Sequence, residues 1–305
     1  MKTAIRTTWL QNRHARFFIE SNGVEQMPLK KPSPPIGHKV ELNRRLPMNM
    51  PYLWLQYGWE DFRKINMEAS LLYGVVITAL SIVIVVGLFL FKLDYVLLPA
   101  LAAFLVIGPT LAIGLYEKSR RIQTDEPVTI GSMLRVQPKS KGQLLFIGLM
   151  LTLWIFLWLR AGVLLYALFF GMHDFPSLGG VFLLIFTEPT GYLLLITGIL
   201  IGALFAAFAF AVSVFSVPML LNEKTDAFTA MGSSIVLTWH NLPVMMGWGC
   251  IVLGLTALSL LTGLLGLIVV FPVLGHATWH VYRDIRQSTD EPIFRPAISE
   301  QTEST

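Results

Sequence analysis

Two histidines near the end of a long apolar run are the residues whose types and spacing most suggest chemistry. His276 and His280 are four positions apart, so they share one face of a helix. Histidine is a frequent metal or haem ligand and can also relay protons. A repeat described below would place Glu117 at the position equivalent to His280 and bring a carboxylate to the same level. These three residues could therefore form a metal site or a proton path.

The same histidines also fit a purely structural role. Trp279, His280, Tyr282 and Arg283 have the composition of an anchor at a membrane interface, with His276 hydrogen-bonded inside the bundle. A pair of histidines without a third ligand nearby in sequence favours this structural role. We therefore expect no cofactor and no catalytic residue, and keep haem or metal at His276 and His280 as the alternative.

Arg160 is the most unusual charge, because it interrupts an apolar run. It lies about 25 Å along a helix that starts near Gln143, at about 1.5 Å per residue. One interpretation is an anion-attracting point or ion pair in an outer vestibule, with Asp94, Asp174 and Glu188 as partners. The other is an arginine that snorkels to the interface. Arg160, Glu117, His276 and His280 are the candidate functional residues.

The elements that must position these residues are transmembrane helices. Only 14% of the 305 residues are charged, against roughly 25% in soluble domains, and the apolar residues are clustered in long runs. About 20 apolar helical residues cross a bilayer core. This distribution predicts an all-α polytopic membrane protein and excludes a disordered chain. The single cysteine, Cys250, excludes an intrachain disulfide.

The apolar runs predict a six-helix transmembrane domain over residues 51–283, between a basic tail (1–50) and a second tail (284–305). The expected crossings are about 70–91, 95–116, 143–170, 191–221, 242–260 and 263–282. The last two form a hairpin, because one 41-residue helix would be about twice the core thickness. The segment 175–186 is too short to cross.

The positive charges predict the orientation of these helices. With six crossings, 21 of the 23 Lys and Arg residues fall on the side of the two termini. Lys92 stays on the opposite side, and Arg160 lies within a crossing. Because cytoplasmic loops are enriched in Lys and Arg, both termini are expected in the cytoplasm.

The helix ends predict three tandem repeats of an interfacial helix followed by a transmembrane hairpin. Proline recurs near the ends of crossings two, four and six, at Pro109, Pro218 and Pro272. Asn66 precedes Tyr73-Gly74 with the spacing by which Asn241 precedes Trp248-Gly249. Interfacial segments at 52–65 and 226–240 precede these two starts. All copies point the same way, which indicates parallel repetition.

Several stretches together resemble the bacterial integral membrane proteins grouped as domain-of-unknown-function family 2189. The resemblance covers about residues 50–284, and it implies a six-helix inner-membrane protein without an established activity. The stretches that carry it are Tyr57-Gly58-Trp59-Glu60-Asp61-Phe62, Ser70-Leu71-Leu72-Tyr73-Gly74, Gly114-Leu115-Tyr116-Glu117, Trp158-Leu159-Arg160-Ala161-Gly162 and Gly275-His276-Ala277-Thr278-Trp279-His280-Val281-Tyr282-Arg283-Asp284.

Two other chemistries are excluded by the sequence. Some members of that family carry a label related to cytochrome c oxidase subunit I, which needs six metal-ligating histidines deep in a twelve-helix scaffold. Of the six histidines here, His14 and His38 lie in the tail and His173 and His240 lie in loops. Only His276 and His280 lie on a predicted crossing, so the chain lacks the six ligands that this chemistry needs. A serine hydrolase built on Ser233 or Ser234 with His240 lacks a nucleophile elbow and a triad acid.

The sequence favours a non-enzymatic accessory or assembly factor that acts through protein partners in the inner membrane, because few ionisable groups lie within the helices. The alternative is a small transporter or channel with a polar cavity between the hairpins. The nine Lys and Arg residues through position 50 predict attraction of the tail to anionic lipid. No nucleic acid is expected as a partner.

Overall fold

The computed structural model describes residues 46–171 and 178–286, and these ranges contain α-helices, one 3₁₀ turn and no β-strand. Most of the two predicted tails, and Asp174, lie outside the described residues. The helices are α1 (Met50–Arg63), α2 (Met67–Leu90), α3 (Leu97–Leu111), α4 (Ile113–Gln123), α5 (Ile130–Leu134), α6 (Lys141–Phe170), α7 (Leu178–Thr187), α8 (Pro189–Asn222), α9 (Ala227–His240), α10 (Leu242–Leu261) and α11 (Leu267–Arg286).

Five of these segments are long and apolar enough to cross a membrane. They are α2, the segment Asp94–Gln123 that contains α3 and α4, α6, α8 and α10. The sixth predicted crossing corresponds to α11, which is not among the five. From its middle to its end this helix carries His276, His280, Arg283, Asp284 and Arg286, which lower its hydropathy. The all-helical class is confirmed, and the sixth crossing stays a prediction.

The second predicted crossing, 95–116, is not one continuous helix. The helix ends at Leu111 and restarts at Ile113, where Leu115 N–H bonds the Ala112 carbonyl and leaves the Leu111 carbonyl without its helical donor. The hydroxyl of Tyr73 on α2 donates a 2.5 Å hydrogen bond to the Leu111 carbonyl at the break. A neighbouring helix thus satisfies a carbonyl that the interruption leaves free.

The hairpin between α10 and α11 turns slightly later than predicted. The turn occupies residues 262–266, and α11 continues to Arg286, past the predicted end of the helical domain at residue 283. Gly263 has a φ of +65°, which only glycine adopts without steric cost. The predicted interfacial segments form α1 and α9, and the short apolar segment before α8 forms α7.

The buried core lies at one end of the bundle, called here the polar end. It gathers α1, α4, α9, most of α11 and the last part of α8, whose buried residues lie almost all between Ala209 and Leu221. The buried residues of α2 lie in its first half, between Ala69 and Thr78. Most of the remaining surface of the long helices is apolar and exposed, as expected for helices in contact with lipid.

Helix α11 occupies the centre of the polar end, where three glycines allow close helix contacts. A Cβ on Gly58 of α1 would lie 2.7 Å from the Ala277 Cβ, and a Cβ on Gly74 of α2 would lie 2.0 Å from the Ile268 carbonyl oxygen. Gly275 of α11 packs in the same way against Leu115 of α4. Small residues at these crossings bring the three backbones close to α11 and set the positions of the polar side chains between them.

Candidate functional site: a buried polar chain

His276 lies at the centre of the polar end and is fully buried. Its Nε2 lies 3.0 Å from the Ser70 hydroxyl of α2, and its Nδ1 lies 2.9 Å from the Ser119 hydroxyl of α4. Both ring nitrogens therefore have a partner from another helix. One imidazole joins three separate parts of the chain.

Lys118 is also buried completely, on α4 beside Ser119. Its ammonium donates hydrogen bonds to the Ser70 hydroxyl at 2.8 Å and to the Asn66 carbonyl at 3.3 Å, with the Phe62 carbonyl at 3.5 Å. Phe62 belongs to the last turn of α1. The terminal carbonyls of a helix have no helical donors and carry partial negative charge, so they favour a cation at this place.

His280 contacts an acid of α1. Its Nε2 lies 2.9 Å from the Asp61 carboxylate, and both side chains are largely buried. The Tyr57 ring lies against the imidazole, with ring centroids 5.3 Å apart. Ser119 also stabilises the ionised form of Asp61 and lowers its pKa, so this serine connects the acid with His276.

These contacts place the groups in one series, called here the polar chain. Lys118 donates to the Ser70 hydroxyl, which lies 3.0 Å from His276 Nε2. The Nδ1 of the same ring lies 2.9 Å from the Ser119 hydroxyl, and Ser119 in turn lowers the pKa of Asp61. A buried cation and a buried anion are thus connected through one imidazole and two hydroxyl groups.

The environment of Asp61 favours its ionised form. Burial alone would raise the pKa of this carboxyl, but hydrogen bonds from His280 and Ser119 and the charge of His280 hold the pKa below its usual value. The carboxylate therefore stays charged inside the polar end. An ionised Asp61 completes the chain that begins at the Lys118 ammonium.

Glu117 makes its contacts away from the two histidines. Its carboxylate accepts hydrogen bonds from Arg120 at 2.8 Å and from Arg121 at 2.6 Å. Arg120 also donates a hydrogen bond to Glu126, and this bond from Arg120 lowers the pKa of Glu126 to about 2. The structure therefore brings His276 and His280 into one chain and places Glu117 in a separate cluster of charges.

Arg160 lies far along α6 and is exposed on the outside of the bundle. The sequence predicted, as an alternative, that four residues line one cavity: Arg160, Glu117, His276 and His280. The structure places them in three separate surroundings. Over the described ranges, no group of three or more His, Cys, Asp or Glu side chains is placed to hold a metal ion.

Four residues of the polar chain were not singled out by sequence reasoning: Asp61, Ser70, Lys118 and Ser119. Lys118 was counted as a loop charge because it follows an apolar run. The spacing of α4 did contain a signal, since Leu115, Lys118, Ser119 and Ile122 share one helix face. A cation on the same face as buried Leu115 and Ile122 points inward.

Other polar groups join the surrounding helices. Trp54 of α1 is fully buried and donates a 2.7 Å hydrogen bond to Asp284 of α11. Arg286 pairs with Glu223 after α8. The Ser234 hydroxyl donates a 2.6 Å hydrogen bond to the Ala211 carbonyl of α8. This serine, one of the two considered above as a nucleophile, therefore joins α9 to α8.

Comparison with known proteins agrees with a membrane fold. Neither a curated protein nor a solved structure matches the chain. One family model matches residues 97–222, which run from the start of α3 to the end of α8, a shorter range than the resemblance over 50–284. The chain is an integral membrane protein whose residues 97–222 match the family described as predicted integral membrane protein, domain of unknown function 2189.

Proposed function

We propose that this protein is a non-enzymatic accessory or assembly factor of a bacterial inner membrane, acting through partner membrane proteins. The observation that carries the proposal is that its buried polar groups are hydrogen-bonded to other groups of the protein. His276 is fully buried with both ring nitrogens bonded to protein, and Lys118 and Ser70 are fully buried beside it. A nucleophile or base must reach its substrate, whereas these groups hold helices together.

A rigid polar end suits a scaffold whose outer faces are free for contacts. The polar chain links α1, α2, α4 and α11, and the glycine contacts pack three of these helices against α11. Buried polar groups favour one arrangement of helices when each has a partner. The function would then lie on the exposed faces of the long helices.

A small transporter or channel is the second candidate. The observation that favours it is the series of exchangeable hydrogen bonds from Lys118 to His280, which could carry protons. Transporters place substrate sites near the midplane, between repeats. The polar chain instead lies at one end of the bundle, beside the interfacial helix α1.

The proposed topology has six crossings with both termini in the cytoplasm. The order of the helices supports three repeats: α1 before the α2–α4 hairpin, α5 before the α6–α8 hairpin and α9 before the α10–α11 hairpin. Helices α1 and α9 each have 14 residues. Each is followed by an asparagine directly before the next long helix: Asn66 before α2 and Asn241 before α10.

Cysteine labelling in intact cells tests this topology. In a Cys250→Ser background, a membrane-impermeant maleimide should label Leu93→Cys and Leu265→Cys from outside. Arg135→Cys and Ser288→Cys should react only after the membrane is opened. Labelling of Ser288→Cys from outside would show that α11 does not cross the membrane back to the cytoplasm. The protein would then have five crossings and not six.

Purification of the intact protein from its native membranes tests the proposed role. A stoichiometric protein partner that dissociates only when the bundle unfolds supports an accessory factor. A solitary protein that a small molecule stabilises against heat would support the transporter instead. The thermal-unfolding midpoint, measured with and without candidate solutes, separates these outcomes.

A further inference from the structure

The exposed face of α6 contains a positive charge within an apolar stripe. Arg160 is exposed, and one turn to either side of it lie Phe156 and Leu164, which are 62% and 60% exposed. Residues four apart share a helix face, so the three side chains project together. Leu149 and Leu153 continue this stripe, called here the α6 stripe, toward the polar end.

Arg160 lies within the apolar run of α6 and not at either end of the helix. From Arg160 to Phe170 the helix rises about 15 Å, and from Lys141 to Arg160 about 28 Å, at 1.5 Å per residue. None of the ten residues after Arg160 is charged, and Leu168 is 80% exposed. Moving Arg160 to the interface would put the exposed side chains of Leu164 and Leu168 in water.

A lone guanidinium within an apolar run is unfavourable in lipid. Such residues generally pair with an opposite charge or face a protein interior. The contacts of α6 with the rest of the bundle lie on its opposite face, through residues such as Ile147, Leu151 and Ile155. Among the residues that the structure describes, no carboxylate pairs with Arg160, which favours a counter-charge supplied from outside this surface.

We propose that the α6 stripe docks a transmembrane helix of another protein that carries an Asp or Glu at the depth of Arg160. A planar guanidinium binds a carboxylate through two parallel hydrogen bonds, and the surrounding Phe and Leu side chains bury the pair. The exposed apolar side chains beyond Arg160 favour this occupant over a lipid phosphate, which lies at the interface. This inference rests on the proposed function and names the surface through which the partner binds.

A second copy of the chain does not supply the missing charge. Asp and Glu are absent from the stretches 69–93, 97–116, 142–173, 189–222 and 242–283, which contain the long apolar segments. Asp94 and Glu188 lie at helix boundaries, at the start of the 3₁₀ turn and directly before α8, and Asp174 comes four residues after the last residue of α6 in the sequence. The carboxylate at the required depth therefore belongs to a different protein.

Photo-crosslinking in native membranes tests the identity of this occupant. A photoreactive residue replaces Phe156 or Leu164, and Val83 of α2, which is 67% exposed, serves as the control position. Both α6 positions should crosslink to the same protein, within a span that contains Asp or Glu, while Val83 labels lipid. Adducts with lipid alone, with a second copy, or with a span that lacks an acid would overturn the proposal.

A defined probe tests the charge itself. Full-length protein in phosphatidylcholine vesicles is mixed with a single-span polyleucine peptide that carries one Glu, or with its Gln twin, and association is measured by energy transfer. The Glu peptide should bind at least about tenfold more tightly, a difference of about 1.4 kcal/mol. Arg160→Leu should abolish this preference without lowering the thermal-unfolding midpoint, because the side chain is exposed.

The outcomes separate this inference from the proposed function. If phosphatidylglycerol in the vesicles removes the preference for the Glu peptide, lipid occupies the site and the inference fails. Equal binding of both peptides to the wild type also overturns it. A stoichiometric partner that crosslinks elsewhere would leave the accessory role in place and eliminate only the α6 stripe.

Discussion

Lys118 donates a 2.8 Å hydrogen bond to Ser70 although neither side chain is exposed. The two residues come from α4 and α2, and the Ser70 hydroxyl is also hydrogen-bonded to His276 of α11. The pair therefore marks the point where three helices meet through polar atoms inside an otherwise apolar protein. The stability of the polar end should depend on it.

Replacing Lys118 with Met should lower the free energy of unfolding by about 3 kcal/mol, because it breaks a buried charged network. Met keeps the unbranched shape of the side chain up to Cε but leaves the Ser70 hydroxyl and the Asn66 carbonyl without their donor. Lys139 is exposed, so Lys139→Met is the matched control. Denaturant unfolding in detergent measures both variants, and equal stabilities would contradict a network role for Lys118.

Replacing Gly74 with Ala should destabilise the protein by at least about 3 kcal/mol, at the upper end of overpacking effects. The new Cβ would lie 2.0 Å from the backbone oxygen of Ile268, which cannot move without shifting α11. Gly87 lies on the same helix with nothing within 4 Å of an added Cβ, so Gly87→Ala should be close to neutral. A wild-type unfolding midpoint in Gly74→Ala would show that α2 and α11 are not packed this closely.

Acidification should destabilise the protein through Asp61. The pKa of Asp61 in the folded state lies below its unfolded value of about 3.9. The carboxylate therefore stabilises the fold above that value, and this contribution is lost as the pH falls through the folded pKa. Asp61→Asn should flatten the fall of the unfolding midpoint below about pH 5.

Asp125 is exposed and provides the control for that titration. Asp125→Asn should keep the acid profile of the wild type, since Asn tolerates the left-handed backbone at this position, where φ is 53°. If Asp61→Asn and the wild type lose stability in parallel, the pairing of Asp61 with His280 does not contribute to the pH dependence.

Removal of metal should leave the protein unchanged. Both ring nitrogens of His276 and the Nε2 of His280 already contact protein groups, so binding a metal there would cost these hydrogen bonds. We expect no stoichiometric metal by elemental analysis and the same unfolding midpoint after chelation. Stoichiometric zinc or iron that disappears in His276→Ala and His280→Ala would establish a metal site.

Prediction from sequence succeeded where a local pattern carries the information. The apolar runs predicted the long helices within a few residues, for example 143–170 for α6, which is Lys141–Phe170. The interruption at Ala112 was missed, since a proline in a membrane helix usually leaves only a kink. Histidine spacing found His276 and His280, but no spacing rule connects Asp61 or Ser70 to them, because each contact spans more than 200 residues.

The sequence by itself determined that this is an all-helical membrane protein, because the burial of about 20 consecutive apolar residues in lipid depends on composition and length alone. The tertiary structure decided the use of its few charges. Glycine contacts around α11 bring Lys118, His276 and Asp61 into one buried chain, whereas Arg160, equally unusual in sequence, faces outward from α6. Which way a charge faces depends on helix rotation and packing, and these are set by contacts between residues distant in the chain.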